Sequence, residues 1–296
     1  MSQDPAPFCT APGCSLANSR VLLEREVSYS RDGRTERLAF DFRLCAKCQM
    51  GFVHPVPPED VLACFYTGDY PYFQDPGDQP EREAKSSKYR VARLRYGNRP
   101  GSLLARLVEL MAKKTVTFTL GVPLTLPQDA RILDYGYGMG GWLLSMRALG
   151  YTRLFGYDIA ANSERRGGLA ARGIEVIPSG GLSRLEAGSL DCVRLEHVFE
   201  HLDQPLAVLE SLHRLLRPGG LLLMTFPSIY PWLEVKNLGV PPHVDHLQLP
   251  IHLAHHSLES SRRLVGAAGF EGIATRVTAR ERFITLKCRK PGNEGS

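Results

Sequence analysis

Between Ala130 and Arg289, short apolar runs alternate with stretches whose apolar residues recur at helical spacing. The runs fall at Arg131–Asp134, Arg153–Asp158, Ile174–Ile177, Leu190–Leu195 and Leu221–Phe226. The stretches between them predict helices over Trp142–Ala148, Ser163–Arg172 and Pro205–Leu216. Gly173 is placed to stop the second helix and Arg217-Pro218-Gly219-Gly220 the third, because proline cannot continue a helix and glycine accepts the left-handed turn that ends one. Such alternation builds a mostly parallel sheet with helices on both faces. The end of the chain differs. After a helix over Leu258–Ala268, runs at Gly272–Thr278 and Arg282–Arg289 have only a short connection and predict an antiparallel hairpin at one sheet edge.

Upstream the pattern breaks. Residues 1–56 are rich in Cys, Arg and turn formers, close on His54-Pro-Val-Pro-Pro58, and read as a small separate module. Residues 57–126 hold an aromatic run from Phe65 to Phe73 and then a segment that reads as helical, basic first and amphipathic after. The α/β pattern fills 127–291. At 296 residues with 43% hydrophobic and 23% charged positions, the chain can bury a full core. The start, MSQDPAPF, lacks the basic and apolar regions of a secretory signal, and no apolar stretch reaches the roughly 20 residues of a membrane span. A cytoplasmic protein without a membrane span is expected.

Charge and cysteines add two features. Residues 85–114 carry nine Lys or Arg against one acid, Glu109, a local +8 that leaves −3 for the rest of a chain with net charge +5. A solvated helix face is the plainest reading, and attraction for phosphate-bearing partners the other. Of seven cysteines, Cys9 and Cys14 form one pair and Cys45 and Cys48 a second, about thirty residues on. Two close pairs suit a closed tetrahedral zinc site; four unmetallated buried thiols are the alternative.

The chemistry centres on Asp134-Tyr-Gly136-Tyr-Gly138-Met-Gly140-Gly141. Glycines at a strand end let the backbone turn tightly and approach a nucleoside, and the spacing fits a dinucleotide fingerprint as well as a methyl-donor site. An acid directly before the turn separates the two. It would repel a pyrophosphate and favours the ammonium and sulfonium of S-adenosylmethionine, while Asp158 suits ribose hydroxyls in either case.

Over roughly Ala130–Arg289 the sequence resembles the class I S-adenosylmethionine-dependent methyltransferases. The resemblance is carried by Ile132-Leu-Asp134-Tyr-Gly136-Tyr-Gly138-Met-Gly140, by Gly156-Tyr-Asp158-Ile159, and by Leu190 to Leu202 with Glu196, His197, Glu200 and His201. Leu215-Leu-Arg-Pro218-Gly219-Gly220 and Ala267-Ala-Gly269-Phe270 complete it. It implies a Rossmann-like seven-stranded sheet with an antiparallel C-terminal hairpin. It implies S-adenosylmethionine held by Asp134, Gly136, Gly138, Gly140, Asp158, Ile159 and Glu196. Where the family often has an acid after the third strand to meet adenine, this chain has Pro178-Ser179-Gly180-Gly181.

Removing a proton from an oxygen or carbon acceptor calls for a base, most often histidine. His197 and His201 follow the fourth strand, and His243, His246, His252, His255 and His256 follow the fifth. His197, His201 and His246 are the candidates for catalysis or acceptor contact, although in the family His201 more often partners a helix start. His197 to His201 also spells H-x-x-E-H, a zinc-protease motif that needs a helix where this chain leaves a strand. Related quinone O-methyltransferases hold a divalent ion on an acid-rich version of this turn, in which His197 takes the place of one acid.

A four-cysteine ribbon, then Val56-Pro57-Pro58, then Phe65-Tyr66-x-x-Asp69-Tyr70 ahead of this domain resembles bacterial enzymes that methylate sugars and natural products. There the ribbon helps shape the acceptor cleft and the aromatic segment folds over the cofactor. This implies structural zinc on Cys9, Cys14, Cys45 and Cys48, cofactor contacts from Tyr66 and Tyr70, and a small acceptor, phosphorylated or nucleotide-linked. Two rivals stand beside this reading. One is a methyltransferase acting on RNA or protein docked through the ribbon and the basic stretch. The other is a binding protein with a degenerate methyltransferase fold. The modest net charge weighs against nucleic acid, and the intact Asp134, glycines and Asp158 against degeneracy.

Overall fold

The computed structural model describes residues 14–66, 126–161, 163–231, 233, 248–277 and 283–292. Cys9, Tyr70, His243, His246 and the basic stretch 85–114 lie outside the described residues. No described helix is long and apolar enough to cross a membrane.

The N-terminal region opens as a long antiparallel hairpin of β1 (Ser19–Arg31) and β2 (Arg34–Cys45). Asp32 and Gly33 both have positive φ, 50° and 75°, so they form the two-residue turn whose twist matches the strands. Alternate residues Phe40, Phe42 and Leu44 of β2 face inward, as the period of two requires. β3 (Gly51–His54) pairs antiparallel with β2, and β9 (Ala254–His255) pairs with β3, giving the order β1-β2-β3-β9. A short helix, α1 (Glu59–Ala63), follows β3.

The α/β pattern appears where the periodicity places it: β4 (Arg131–Tyr135), α2 (Gly141–Ala148), β5 (Arg153–Tyr157), α3 (Ser163–Ala170), β6 (Glu175–Ile177), β7 (Leu190–Glu196), α4 (Pro205–Leu215), β8 (Leu216–Pro227), α5 (Leu258–Ala267), β10 (Glu271–Val277) and β11 (Phe283–Arg289). The seven strands run β10-β11-β8-β7-β4-β5-β6. Parallel pairing joins β6, β5, β4 and β7, while β10 and β11 are antiparallel. This is the Rossmann-like fold with an antiparallel end. β8 starts five residues before the expected Leu221, and Gly219 within it sits at φ 72°.

By contacts the described residues form two compact units. One lies within Met1–Tyr70, Glu196–Arg214 and Met224–Ser296, the other within Pro71–Leu195 and Leu215–Leu223. The second unit's core gathers Ile132, Leu143, Met146, Tyr151, Leu154 and Cys192. The first has one cluster around Cys45, Cys48, Met50, Phe52 and Leu253, and another around Phe40, Phe42, Val53 and Ile229. At Gly51 the second cluster is packed to the backbone: an added Cβ would lie 2.4 Å from the Phe42 ring and 2.6 Å from Ile229. Gly51→Ala is therefore expected to destabilise the protein by about 1–3 kcal/mol, read as a lowered thermal unfolding midpoint.

Candidate active site and metal clusters

The glycine turn joins β4 to α2. Gly136, Gly138 and Gly140 all have positive φ, at 79°, 54° and 77°. The Gly136 N–H donates to Tyr157 O at 2.7 Å, and the Gly138 N–H to Asp158 Oδ2 at 2.7 Å. Asp158 Oδ1 accepts from Ala160 N at 2.8 Å. The residue after β5 thus clamps the turn while each oxygen keeps a lone pair. Burial raises the Asp158 carboxyl, with the two backbone N–H groups opposing it. A Cβ on Gly138 would meet nothing within 4 Å, so the turn leaves open space above itself. Ile159, next to Asp158, is 74% exposed, which leaves an apolar side chain for a flat group to cover. Open backbone, a ribose-suited carboxylate and an uncovered apolar residue fit the nucleoside end of S-adenosylmethionine.

Asp134 is almost wholly buried. Its Oδ1 accepts from Arg194 Nη1 at 2.8 Å, and its Oδ2 has no hydrogen-bond partner among the described residues. Burial raises its carboxyl, and the Arg194 guanidinium pulls it back down. Arg194 also lies over the Trp142 ring, 4.5 Å from its centroid. Sequence reasoning missed this partner. Its signal was a charged residue inside the apolar strand Leu190–Leu195.

In the other unit, β7 ends on a half-buried Glu196, and His197 follows with φ 54°. A left-handed backbone is uncommon for a residue with a Cβ and costs about 1–3 kcal/mol, so the fold must hold it there. Part of that hold is the His197 N–H donating to Thr225 O at 2.8 Å. The imidazole is 44% exposed, edge-on to Phe283, with Nδ1 3.4 Å from Glu200 Oε1. Glu200 and His201 lie in the 3-10 turn Phe199–His201. His201 Nδ1 is 3.0 Å from Ile251 O and 2.9 Å from the Tyr66 hydroxyl. A carbonyl can only accept, so Nδ1 carries the hydrogen and Nε2 the lone pair. Tyr66 is thus placed on His201.

His252 lies edge-on to His201, with ring centroids 4.8 Å apart, and His255 is 5.3 Å from His252. His256 stacks on Phe199 at 4.2 Å. Burial lowers the pKa of His201, His252 and His256, the last to about 3.

Among the described residues, two groups of side chains have the spacing to hold a metal ion. Cys14, Cys45 and Cys48 are buried, with sulfur atoms within 4.8 Å of one another, so three of the four expected zinc ligands come together. Glu200, His201 and His252 form the second group, which sequence reasoning did not assemble.

The fold, the glycine turn and its flanking carboxylates define a methyltransferase domain. A methyltransferase-domain family model matches residues 102–275, more than half of the chain. The chain belongs to this family, and its chemistry is methyl transfer from S-adenosylmethionine. A solved S-adenosylmethionine-dependent methyltransferase from Mesorhizobium loti is similar over 55% of this chain and 93% of its own, at 16% identity and TM-score 0.45. One from Archaeoglobus fulgidus is similar over 62% and 94%, at 16% identity and TM-score 0.44. A 58-residue segment is 44% identical to an uncharacterized 37.1 kDa protein in transposon TN4556 of Streptomyces fradiae, and this match spans 18% of this chain and 17% of that protein.

Two outcomes follow from the geometry. Asp158→Ala removes the clamp on the glycine turn at Gly138, so calorimetry is expected to show S-adenosylmethionine affinity falling roughly tenfold to a hundredfold. Like His201 and His252, whose pKa burial also lowers, His256 contributes to acid stability. The unfolded chain takes up its proton near pH 6.5, the folded protein only near pH 3. Its contribution is therefore complete above pH 6.5 and is lost as pH falls from there toward 3. Thermal unfolding of His256→Phe, which keeps a ring against Phe199 without titrating, is expected to depend less on pH over that range than the wild type.

Proposed function

We propose that the acceptor is a small molecule, a sugar or nucleotide-sugar, methylated on oxygen or carbon with His197 as the base. The observation that carries this reading is the His197–Glu200 pair. The backbone holds the imidazole at the end of β7, half exposed, with Nδ1 turned to a buried carboxylate 3.4 Å away. With Nδ1 on the side of the Glu200 carboxylate, Nε2 is the nitrogen available to an incoming proton. S-adenosylmethionine, when bound, supplies a methyl group already activated on sulfonium. The acceptor forms its bond to the methyl carbon as the carbon–sulfur bond breaks, and the acceptor's proton passes to His197. The chain's own work is then to position, to exclude water and to take that proton.

His201 and Tyr66 border the acceptor in this reading, Tyr70 contributes to the cofactor side, and His246 is a second acceptor contact. Cys9 completes a zinc site with Cys14, Cys45 and Cys48, since four thiolates in two pairs give the tetrahedral set that zinc prefers. The +8 stretch 85–114 meets the phosphates of a nucleotide-sugar.

The test is transfer of labelled methyl from S-adenosylmethionine into pools of nucleotide-sugars. A labelled sugar product is expected, and His197→Gln is expected to lower kcat by roughly a hundredfold or more with S-adenosylmethionine affinity unchanged. Labelling of a polynucleotide or protein in place of the sugar pool would overturn the acceptor assignment.

A further inference from the structure

We propose that Glu200, His201 and His252 bind a divalent transition-metal ion, at a site separate from the cysteine cluster. The three residues offer one carboxylate oxygen and two imidazole nitrogens, all within 4.8 Å of one another. Glu200 and His201 come from the turn after β7, and His252 from the segment leading into β9. The site includes His252, some fifty residues away in sequence, and leaves out His197, whose Nδ1 lies 3.4 Å from Glu200 Oε1.

The strongest indication is Glu200. Its side chain is 0% exposed, and neither carboxylate oxygen has a hydrogen-bond partner among the described residues. The His197 Nδ1 contact at 3.4 Å concerns Oε1 and lacks hydrogen-bond alignment, and Oε2 has nothing comparable. A buried carboxylate without partners costs several kcal/mol, which is why such groups are paired or coordinate metals. The two histidines complete the set. His201 donates through Nδ1 to Ile251 O, the carbonyl support that orients metal-binding histidines and leaves Nε2 as the donor. The Nδ1 of His252 is buried with no hydrogen-bond partner. Two imidazoles and one carboxylate suit zinc, iron, manganese or cobalt, and three protein ligands leave positions for water or a ligand oxygen.

The test reads metal content and does not depend on the acceptor. Full-length protein is saturated with zinc, freed of excess and analysed. Wild type is expected to hold about two zinc ions per chain, Glu200→Gln and His252→Gln about one, and Cys45→Ser to keep the one at Glu200. Calorimetry with S-adenosylmethionine reports whether each variant is folded. Should a variant fail to fold, cobalt is added to wild type whose cysteine site is already filled with zinc. The expected signal is one further equivalent with a visible ligand-field band and no sulfur charge-transfer band. Equal metal content in wild type and the folded Glu200 and His252 variants would overturn the proposal, as would no cobalt band in the wild type.

Discussion

Asp134 and Arg194 stand opposite one another on the adjacent parallel strands β4 and β7, and neither has much access to water. Removing two charges from solvent costs several kcal/mol each unless they meet in good geometry. Their 2.8 Å contact supplies that, and the flat guanidinium lies on Trp142 in the first turn of α2. One pair therefore ties two strands and the following helix together at the place where the chain turns. The glycine turn lies between Asp134 and Trp142, anchored on both sides. The pair occupies Oδ1 of Asp134 and leaves Oδ2 without a hydrogen-bond partner among the described residues.

Within that frame the two carboxylates divide the work. Asp134 is committed inward, to the protein, and Asp158 to the backbone of the turn through Gly138 and Ala160. Three positive-φ glycines make this possible, since side chains there would be strained, and at Gly140 a Cβ would sit 2.7 Å from Leu169. The surface left over, open above Gly138 and apolar at Ile159, is suited to a nucleoside for the same reason that it is costly to leave bare.

Local patterns in the sequence carry the α/β half well, because period and glycine position are local signals; the seven strands of the larger sheet fall within a few residues of their predicted places, apart from the early start of β8. The β1–β2 hairpin was legible but unread. Asp32-Gly33 between two alternating segments is a strong hairpin signal. Non-local facts were not legible. Nothing in Ala254-His255 announces a two-residue strand against β3, and nothing in Arg194 names Asp134 as its partner. The histidines divide the same way. Composition marks the region, while only the fold distinguishes His256, stacked on Phe199, from His252, turned toward Glu200 and His201.

The segment 248–257 explains why a cysteine module belongs on this chain. At one end Ile251 accepts from His201, beside the turn after β7. In the middle Ala254 and His255 pair with Phe52 and Gly51 of β3. At the other end Ser257 caps α5 through Ser260 and donates its hydroxyl to the carbonyl of Cys48. The cysteine cluster and the histidine cluster are thus held by one short run of backbone, with His255 edge-on to Phe42 between them. The Cys48 carbonyl and the start of α5 are thus joined through Ser257, five residues from His252.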